Sequence, residues 1–253
     1  MSAVLWNSWH HRCMTSESVP RAVRRRAREE IVREVVEAAR RQLAVEGAPG
    51  LSLRAVAREL GMVSSAVYRY VASRDELLTL LIAHAHGDLA DHVRAAHDRV
   101  DAADLRGRWR AIAHGIRDWS LAHPQEFALI FGTPVPGYHA PPERTEEPGT
   151  RVLVLLAHLG ADAEVAGMQP TLGERFDAAA VSGAAPALAF VAQTGLVLSP
   201  PTALAGISAW QLVMGSVLSE QFGYLGHEGL GFTSAFEGVV VAAEKLIFGA
   251  QAS

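Results

Sequence analysis

The segment "GMVSSAVYRY", residues 61–70, concentrates hydrogen-bonding side chains on a short stretch between two apolar-periodic regions. The hydroxyls of its two serines and two tyrosines can bind phosphates or base edges, and Arg69 can bind a phosphate or a guanine edge. No carboxylate, histidine or partnered nucleophile lies inside the segment, so its chemistry is that of binding. These residue types favour a surface that contacts DNA. The alternative is an ordinary helical hairpin with a polar surface.

An enzymatic interpretation rests on side chains further along the chain. Asp88 and His92 lie four residues apart with His84 and His97 nearby, which is a spacing that a metal site can use. The chain has no H-E-x-x-H motif, no second carboxylate set and no nucleophile motif. A second candidate set of metal ligands is His10, His11 and Cys13. This set lacks another ligand pair at the spacing of a zinc site. We therefore expect a protein that is not an enzyme and that uses no metal and no cofactor.

The net charge of −4 conceals a strong asymmetry along the chain. Residues 21–74 contain twelve arginines and six glutamates without aspartate, which gives +6. Residues 75–253 contain ten Lys+Arg and twenty Asp+Glu, which gives −10. A basic segment attached to a larger acidic body is typical of a nucleic-acid-binding domain joined to a domain of another kind. An arginine-rich solvated helix face is the alternative.

Composition and periodicity predict an all-α protein, because hydrophobic residues make up 49% of the chain with little of the alternation that strands need. Three segments are expected: a flexible arm over residues 1–20, a helix-turn-helix DNA-binding domain over 21–75 and a larger helical domain over 76–253. A single cysteine fits a reducing cytoplasm, and no apolar run reaches the ~20 residues of a membrane span. We expect a cytoplasmic protein without a membrane partner.

Local signals place the elements of the predicted helix-turn-helix. Ser52 stands where it can cap a short helix, and Gly61 supplies the left-handed residue that a tight turn needs. A second helix is expected over residues 64–71, with Val67 and Val71 turned inward. Ser73 and Glu76 are expected to form a capping box at the start of a long third helix. The second helix is the one that would enter a major groove.

Helical periodicity and helix-breaking residues predict the later elements. Residues 132–150 contain five prolines and predict a surface loop. Further helices are expected near residues 104–122, 125–131, 151–167, 174–194, 202–224 and 234–248.

Residues 28–82 resemble the N-terminal domain of the TetR family of bacterial transcriptional repressors. The positions that carry the resemblance are Ala57, Gly61, Tyr68, Tyr70, Arg74, Glu76 and Leu77. Val63 departs from the family pattern, which has a small hydroxyl residue there, so Ser64 is expected to cap the second helix instead. The resemblance implies DNA contacts from Ser52, Arg54, Ser64, Ser65, Tyr68, Arg69, Tyr70 and Arg74.

Residues 122–132 and 209–225 resemble a C-terminal domain type of many actinobacterial members of this family. Met214 stands where that type has a histidine, which removes a histidine-dependent ligand contact. The resemblance implies a homodimer that binds a palindromic operator and is released by a small molecule. An activator, or a DNA-binding protein that responds to no ligand, is the alternative.

Two sets of residues are candidates for effector binding and dimerisation. Aromatic and sulfur side chains suggest a pocket for an apolar or aromatic effector, although plain core positions are the alternative for each of Trp109, Trp119, Phe127, Phe131, Phe176, Phe190, Trp210 and Met214. The last two helices are apolar on more than one face and favour a four-helix dimer interface formed by Leu204, Ile207, Val217, Leu218, Phe222, Leu225, Phe236, Val239, Val240, Ala243 and Ile247. An ordinary buried hairpin is the alternative.

Overall fold

The computed structural model of the chain describes residues 18–171, 182–224, 226 and 231–249. Within these ranges the chain forms helices, turns and loops and no strand. The prediction of an all-α protein is therefore confirmed. The chain divides into two compact units, Met1–Leu81 and Ile82–Ser253. Most of the predicted arm, including His10, His11 and Cys13, lies outside the described residues.

The first unit contains three helices and the beginning of a fourth. They are α1 (Ser18–Gly50), α2 (Leu53–Glu59), α3 (Ser64–Val67) and α4 (Arg74–His97), whose later residues belong to the second unit. Helix α1 is interrupted at Gly47, whose φ of 67° is a left-handed value that glycine adopts without steric cost. The helix therefore breaks at a glycine.

Apolar side chains at helical spacing form the core of the first unit. Val35, Ala39 and Leu43 of α1 are buried together with Val56 of α2 and Val67 of α3. This is the stripe that periodicity predicts, and burying it supplies most of the free energy that holds such short helices in place.

Six further helices belong to the second unit. They are α5 (Leu105–Ala122), α6 (Pro124–Phe131), α7 (Pro142–Val165), α8 (Ala185–Gln193), α9 (Pro200–Gln221) and α10 (Phe232–Phe248). Helices α9 and α10 pack against each other along their length, and α5 and α7 contact this pair. The expected helix near 174–194 begins among residues that the structure does not describe.

The core of the second unit is built around large aromatic side chains. Trp109 and Trp119 are almost fully buried, and each places its indole N–H on an acceptor. Trp109 donates to the carbonyl oxygen of Val240 at 3.0 Å, and Trp119 donates to a carboxylate oxygen of Asp88 at 3.0 Å. These bonds remove the cost of burying a polar N–H and fix the orientation of both rings.

One buried carboxylate joins α5 to α10. Glu244 accepts hydrogen bonds from Arg106 at 3.0 Å and from Arg110 at 2.6 Å. The hydrogen bond from Arg110 to Glu244 raises the pKa of that guanidinium above its ordinary value. A buried charge is stable only when it is paired and hydrogen-bonded, and here two guanidiniums satisfy one carboxylate.

The prediction of a loop over residues 132–150 is wrong in its second half. Helix α7 begins at Pro142 and contains Pro148, so only residues 132–141 form the loop. Proline is tolerated in the first turn of a helix because its missing N–H has no intrahelical partner there. Further along, the hydroxyl of Thr150 donates to the carbonyl oxygens of Glu146 and Glu147.

Helix α9 is the one described helix that is long and apolar enough, by length and composition, to cross a membrane. Core helices of soluble proteins pass the same test. Here Ala205, Ala209 and Val213 are buried against neighbouring helices of the second unit. The core therefore accounts for part of the apolar character of α9.

Candidate nucleic-acid interface and effector cavity

A glycine-led turn joins α2 to α3. Gly61 has a φ of 65°, and the backbone N–H of Met62 donates to the carbonyl oxygen of Ala57 at 2.8 Å, which closes the end of α2. Ser52 occupies the N-cap of α2, but its side chain makes no capping bond. Its backbone N–H instead donates to the side-chain oxygen of Gln42 at 3.1 Å. The turn is as predicted, whereas the side-chain cap at Ser52 is not formed.

Helix α3 is shorter than predicted and begins differently. Only Ser64–Val67 is α-helical, and beyond it the backbone N–H groups of Arg69 and Tyr70 donate to carbonyls three residues back. Such tightening is common at helix ends. The expectation that Ser64 caps the helix is wrong, because Val63 occupies the N-cap and makes no side-chain bond.

The two sides of this segment differ as the sequence predicts. Val67 and Val71 are fully buried, while Ser65, Tyr68 and Arg69 are exposed, Tyr68 at 44% of its surface. Two further predicted DNA contacts, Ser64 and Tyr70, are half-buried. On α2, Arg54 is exposed and Ser52 is half-buried. The exposed hydroxyls and guanidiniums can donate to phosphates or to base edges.

Arg74 has a structural partner that the sequence did not reveal. Its Nη2 donates to the carbonyl oxygen of Ala48 at 2.7 Å and its Nε donates to that of Leu51 at 3.3 Å. Two of its donors are therefore occupied by the backbone between α1 and α2. Arg74 therefore positions this connection, and its predicted DNA contact stays a prediction.

Arg28 supports the other side of α3, and sequence reasoning missed it. Its guanidinium donates to the carbonyl oxygens of Arg69 at 3.2 Å and Tyr70 at 3.4 Å, and it lies 5.6 Å from the centre of the Tyr70 ring. The only signal in the sequence was its place in the arginine-rich start of α1. Nothing in the spacing of residues 28 and 70 could have paired them.

The start of α4 carries the predicted capping interaction with one change. Ser73 Oγ accepts from the backbone N–H of Glu76 at 3.1 Å. The carboxylate of Glu76 accepts from the backbone N–H of Ala72 at 2.7 Å, one residue before the position that a capping box uses. Two donors at the start of the helix are nevertheless satisfied.

The second unit contains an apolar cavity of about 270 Å³ between α7, α8, α9 and α10. Where the structure describes its walls, they are aliphatic apart from one aromatic ring, that of Phe190, and one hydroxyl, that of Thr202. Gly206 lines the cavity with open space where a side chain would begin. The cavity therefore has room for an apolar molecule.

The one hydroxyl in the cavity wall is already occupied. Thr202 lies 3.0 Å from Ser199 Oγ, and the backbone N–H of Ser199 donates to Glu164 at 2.9 Å. Burial raises the pKa of Glu164, but hydrogen bonds from Ser199 and Thr202 outweigh it and leave that pKa below its ordinary value. The described polar groups beside the cavity are satisfied by one another, and no charged side chain among the described residues lines the space.

Most of the residues predicted to line a pocket lie elsewhere. Of the members that the structure describes, Phe190 alone lines the cavity. Trp109, Trp119 and Phe127 are buried in the aromatic core with Met214 beside them. A ring contact at 6.4 Å between centroids joins two half-buried members, Phe131 and Trp210. Phe176 lies outside the described residues. Aromatic residues at helical spacing predicted burial but not the position of the empty space.

The predicted dimer residues are mostly internal to the second unit. Five of them are buried in its own core, namely Val217, Phe236, Val240, Ala243 and Ile247. Four are half-buried against that core or beside the cavity, namely Leu204, Leu218, Phe222 and Val239. Ile207 and Ile247 line the cavity. Leu225 lies outside the described residues. The exposed apolar or small side of α9 and α10 is formed by Leu212, Gly215, Gly238, Val241 and Ala242.

In the described part of the chain, no metal site supports the alternative of a metal-dependent enzyme. Within those ranges, no group of three or more His, Cys, Asp or Glu side chains could hold a metal ion. Asp88, from the predicted set, accepts the indole N–H of Trp119. His97 accepts from Arg108 at 2.8 Å and lies against Asp98.

Sequence comparison matches the chain to two domain families. "Bacterial regulatory proteins, tetR family" covers residues 35–81, and "Tetracyclin repressor-like, C-terminal domain" covers residues 109–242. The HTH-type transcriptional regulator Rv1816 of Mycobacterium tuberculosis is 58% identical over 130 residues, which are 51% of this chain and 56% of that protein. The HTH-type transcriptional repressor DrrR1 of Streptomyces coeruleorubidus is 35% identical over 107 residues, 41% of this chain and 36% of that protein. The alignments thus span about half or less of these relatives.

Solved structures give matches over most of the chain. A protein described as regulatory, SCO4313, is 30% identical with a TM-score of 0.63, covering 87% of this chain and 97% of its own. A protein of unknown function from Rhodococcus sp. RHA1 is 20% identical with a TM-score of 0.62, covering 84% of this chain and 93% of its own. At that identity the second match shows the fold alone.

The hydrogen bonds from Arg74 to two carbonyl oxygens should stabilise the first unit. Arg74→Lys keeps the positive charge but cannot donate to Ala48 and Leu51 with one planar fork. We expect the free energy of unfolding to fall by about 1–3 kcal/mol, measured by thermal and denaturant unfolding. Arg54→Lys, an exposed position on α2, is the control and should leave stability unchanged. Equal stability of the two variants would contradict the positioning role of Arg74.

Proposed function

The chain belongs to the TetR family, whose members are DNA-binding transcriptional regulators, and from that membership we propose a cytoplasmic repressor that an apolar effector releases from a palindromic operator. The observation that carries the proposal is the arrangement of α2 and α3. A buried pair of valines turns Ser65, Tyr68 and Arg69 to the surface of a basic segment. That is the arrangement that lets one short helix enter a major groove.

Two copies of this helix are needed to recognise a palindrome. Helix-turn-helix dimers place their recognition helices about 34–36 Å apart, so that both enter successive major grooves on one side of the duplex. We infer a homodimer of this kind. Phosphate contacts from Arg54, Tyr68 and Ser65 would set the register, and Arg69 would bind a phosphate or a guanine edge.

The dimer is proposed to form through the exposed side of α9 and α10. Small residues on this side, such as Gly215 and Gly238, have open space at the position of a Cβ, so a partner helix can approach closely. Leu212 and Val241 add apolar surface, each more than two-fifths exposed in one chain. An isologous interface brings the same face of each chain together and removes this surface from water.

The effector is proposed to occupy the cavity between α7, α8, α9 and α10. The described residues of its lining offer no charge and one hydroxyl that already has partners, which favours an uncharged ligand with an aliphatic or partly aromatic body. Release of the operator requires that the effector bind more tightly to the arrangement that cannot hold DNA. A ligand with equal affinity for both arrangements would shift nothing.

DNA recognition is tested by two substitutions on the exposed side of α3. In a gel-shift against DNA from the protein's own gene neighbourhood, at fixed salt with excess competitor, Tyr68→Phe should weaken binding about two- to tenfold. Arg69→Ala should weaken it roughly 5- to 150-fold. Tyr224→Phe and Arg99→Ala, at exposed positions of the second unit, are the matched controls. Unchanged affinity in both α3 variants would refute the proposed contact surface.

Dimerisation is tested at a glycine of α10. Gly238→Glu adds a carboxylate where one chain has only open space, so the fold of the chain should survive. In the proposed two-fold interface the change would bury two like charges, and we expect sedimentation velocity to report a monomer. Val197→Glu, at a position 89% exposed outside α9 and α10, should leave the dimer intact. A dimer in both variants would place the interface elsewhere.

Effector binding is tested by filling the cavity from Gly206. Gly206→Leu projects a side chain into the open space, and such overpacking costs a bound ligand about 1–3 kcal/mol. The neutral fluorophore N-phenyl-1-naphthylamine should therefore bind roughly 5- to 150-fold more weakly than to the wild type. Gly206→Ala, which adds one methyl group, should bind it nearly as the wild type does, and both variants should keep their DNA affinity. Equal fluorophore binding by the leucine variant would exclude this cavity as the site.

A further inference from the structure

The beginning of α1 carries five exposed arginines within eight positions. They are Arg21, Arg24, Arg25, Arg26 and Arg28, and no acidic residue lies among them or in the first turn of the helix. Lys and Arg near a helix N-terminus lie in the unfavourable field of the helix dipole, and like charges three or four residues apart repel. This part of α1 therefore has an electrostatic cost that a polyanion would relieve.

Internal ion pairing relieves little of that cost. Within the described residues, one ion pair is found for these side chains, between Arg25 and Glu29 at 3.5 Å. Both of its side chains are more than three-fifths exposed, and pairs of this kind contribute about 0–1 kcal/mol. The remaining charge faces solvent.

The contacts of Arg28 show which side of α1 faces the end of α3. Its guanidinium binds the carbonyl oxygens of Arg69 and Tyr70, at the end of α3. An α-helix turns about 100° per residue, so Arg21 and Arg24 lie within about 40° of Arg28. By the same count, Arg25 lies about 60° away and Arg26 about 160° away, on the opposite side.

The same geometry gives the spacing along the helix. With a rise of about 1.5 Å per residue, Arg24 lies about 6 Å and Arg21 about 10.5 Å from Arg28 towards the start of α1. Arg21, Arg24 and Arg25 form a row that leads away from the end of α3. We call these three residues the α1 arginine row.

We propose that the α1 arginine row binds phosphates of the DNA duplex beside the groove that α3 enters. The proposal rests on the proposed function, and it adds a second contact surface to α2 and α3. We assign DNA as the polyanion because Arg28 joins this side of α1 to residues 69 and 70, at the end of α3. Guanidinium binds phosphate through paired N–H donors, and each neutralised phosphate releases counterions.

The matched comparison uses two arginine pairs on opposite sides of α1. The double variant Arg21→Gln with Arg24→Gln removes two charges from the α1 arginine row and keeps residues that favour a helix. The control, Arg26→Gln with Arg33→Gln, removes two charges from the side about 140–160° from Arg28. Arg33 lies in a shallow cleft with Glu30, Glu34 and Glu37, away from the row. Circular dichroism checks that both variants keep the helical content of the wild type.

The measurement is the salt dependence of binding by the full chain to a duplex that the wild type has selected from random DNA. Each phosphate contact contributes about −0.9 to the slope of log K against log salt. We expect the slope of the Arg21/Arg24 variant to shrink by roughly two units for each bound chain, while the control changes by less than one. Shortening the duplex at its ends should weaken the wild type and the control more than the row variant.

The outcomes separate this inference from the function on which it rests. If the wild type selects a discrete sequence but the two double variants have equal slopes, the α1 arginine row does not bind DNA and the regulator proposal stands. A row variant that differs only in binding to anionic phospholipid vesicles would also overturn the inference and assign the row to a lipid surface. If the wild type selects no sequence, the proposed function and the inference fail together.

Discussion

A helix of four residues cannot keep its shape in water, because helix nucleation costs more free energy than one turn returns. Helix α3 therefore depends on what surrounds it. Val67 and Val71 anchor it to the core of the first unit, and the guanidinium of Arg28 binds the carbonyl oxygens that follow it. The exposed chemistry of Tyr68 and Arg69 is useful only because this support fixes their backbone.

The second unit satisfies a different constraint, which is to leave an apolar space between helices while the described polar groups beside it pair with one another. The aromatic core around Trp109 and Trp119 is closely packed and hydrogen-bonded, whereas the cavity lies where glycines leave room between helices. Gly160 would bring a Cβ to 3.0 Å from Thr202, while Gly206 faces open space. One glycine thus permits close helix packing and the other leaves volume for a ligand.

The sequence predicted the helical fold and the turn at Gly61 because those signals act over a few residues. It also predicted the burial of Val67 and Val71, since helical periodicity is local as well. It could not predict the cavity, because periodicity shows which side chains are buried and not where packing is incomplete. The roles of Arg28 and Arg74 depend on partners more than twenty residues away, and a flexible guanidinium leaves no trace of its partner in the sequence.

Both supporting arginines bind main-chain carbonyl oxygens, which every amino acid carries. Arg28 holds residues 69 and 70, and Arg74 holds residues 48 and 51, without touching the parts of those residues that differ between amino acids, apart from the ring of Tyr70. Substitution at position 69 therefore leaves the scaffold intact. An ancestral protein could acquire a new binding preference through single replacements there without first losing its fold, and a designer could vary that position in a library on the same terms.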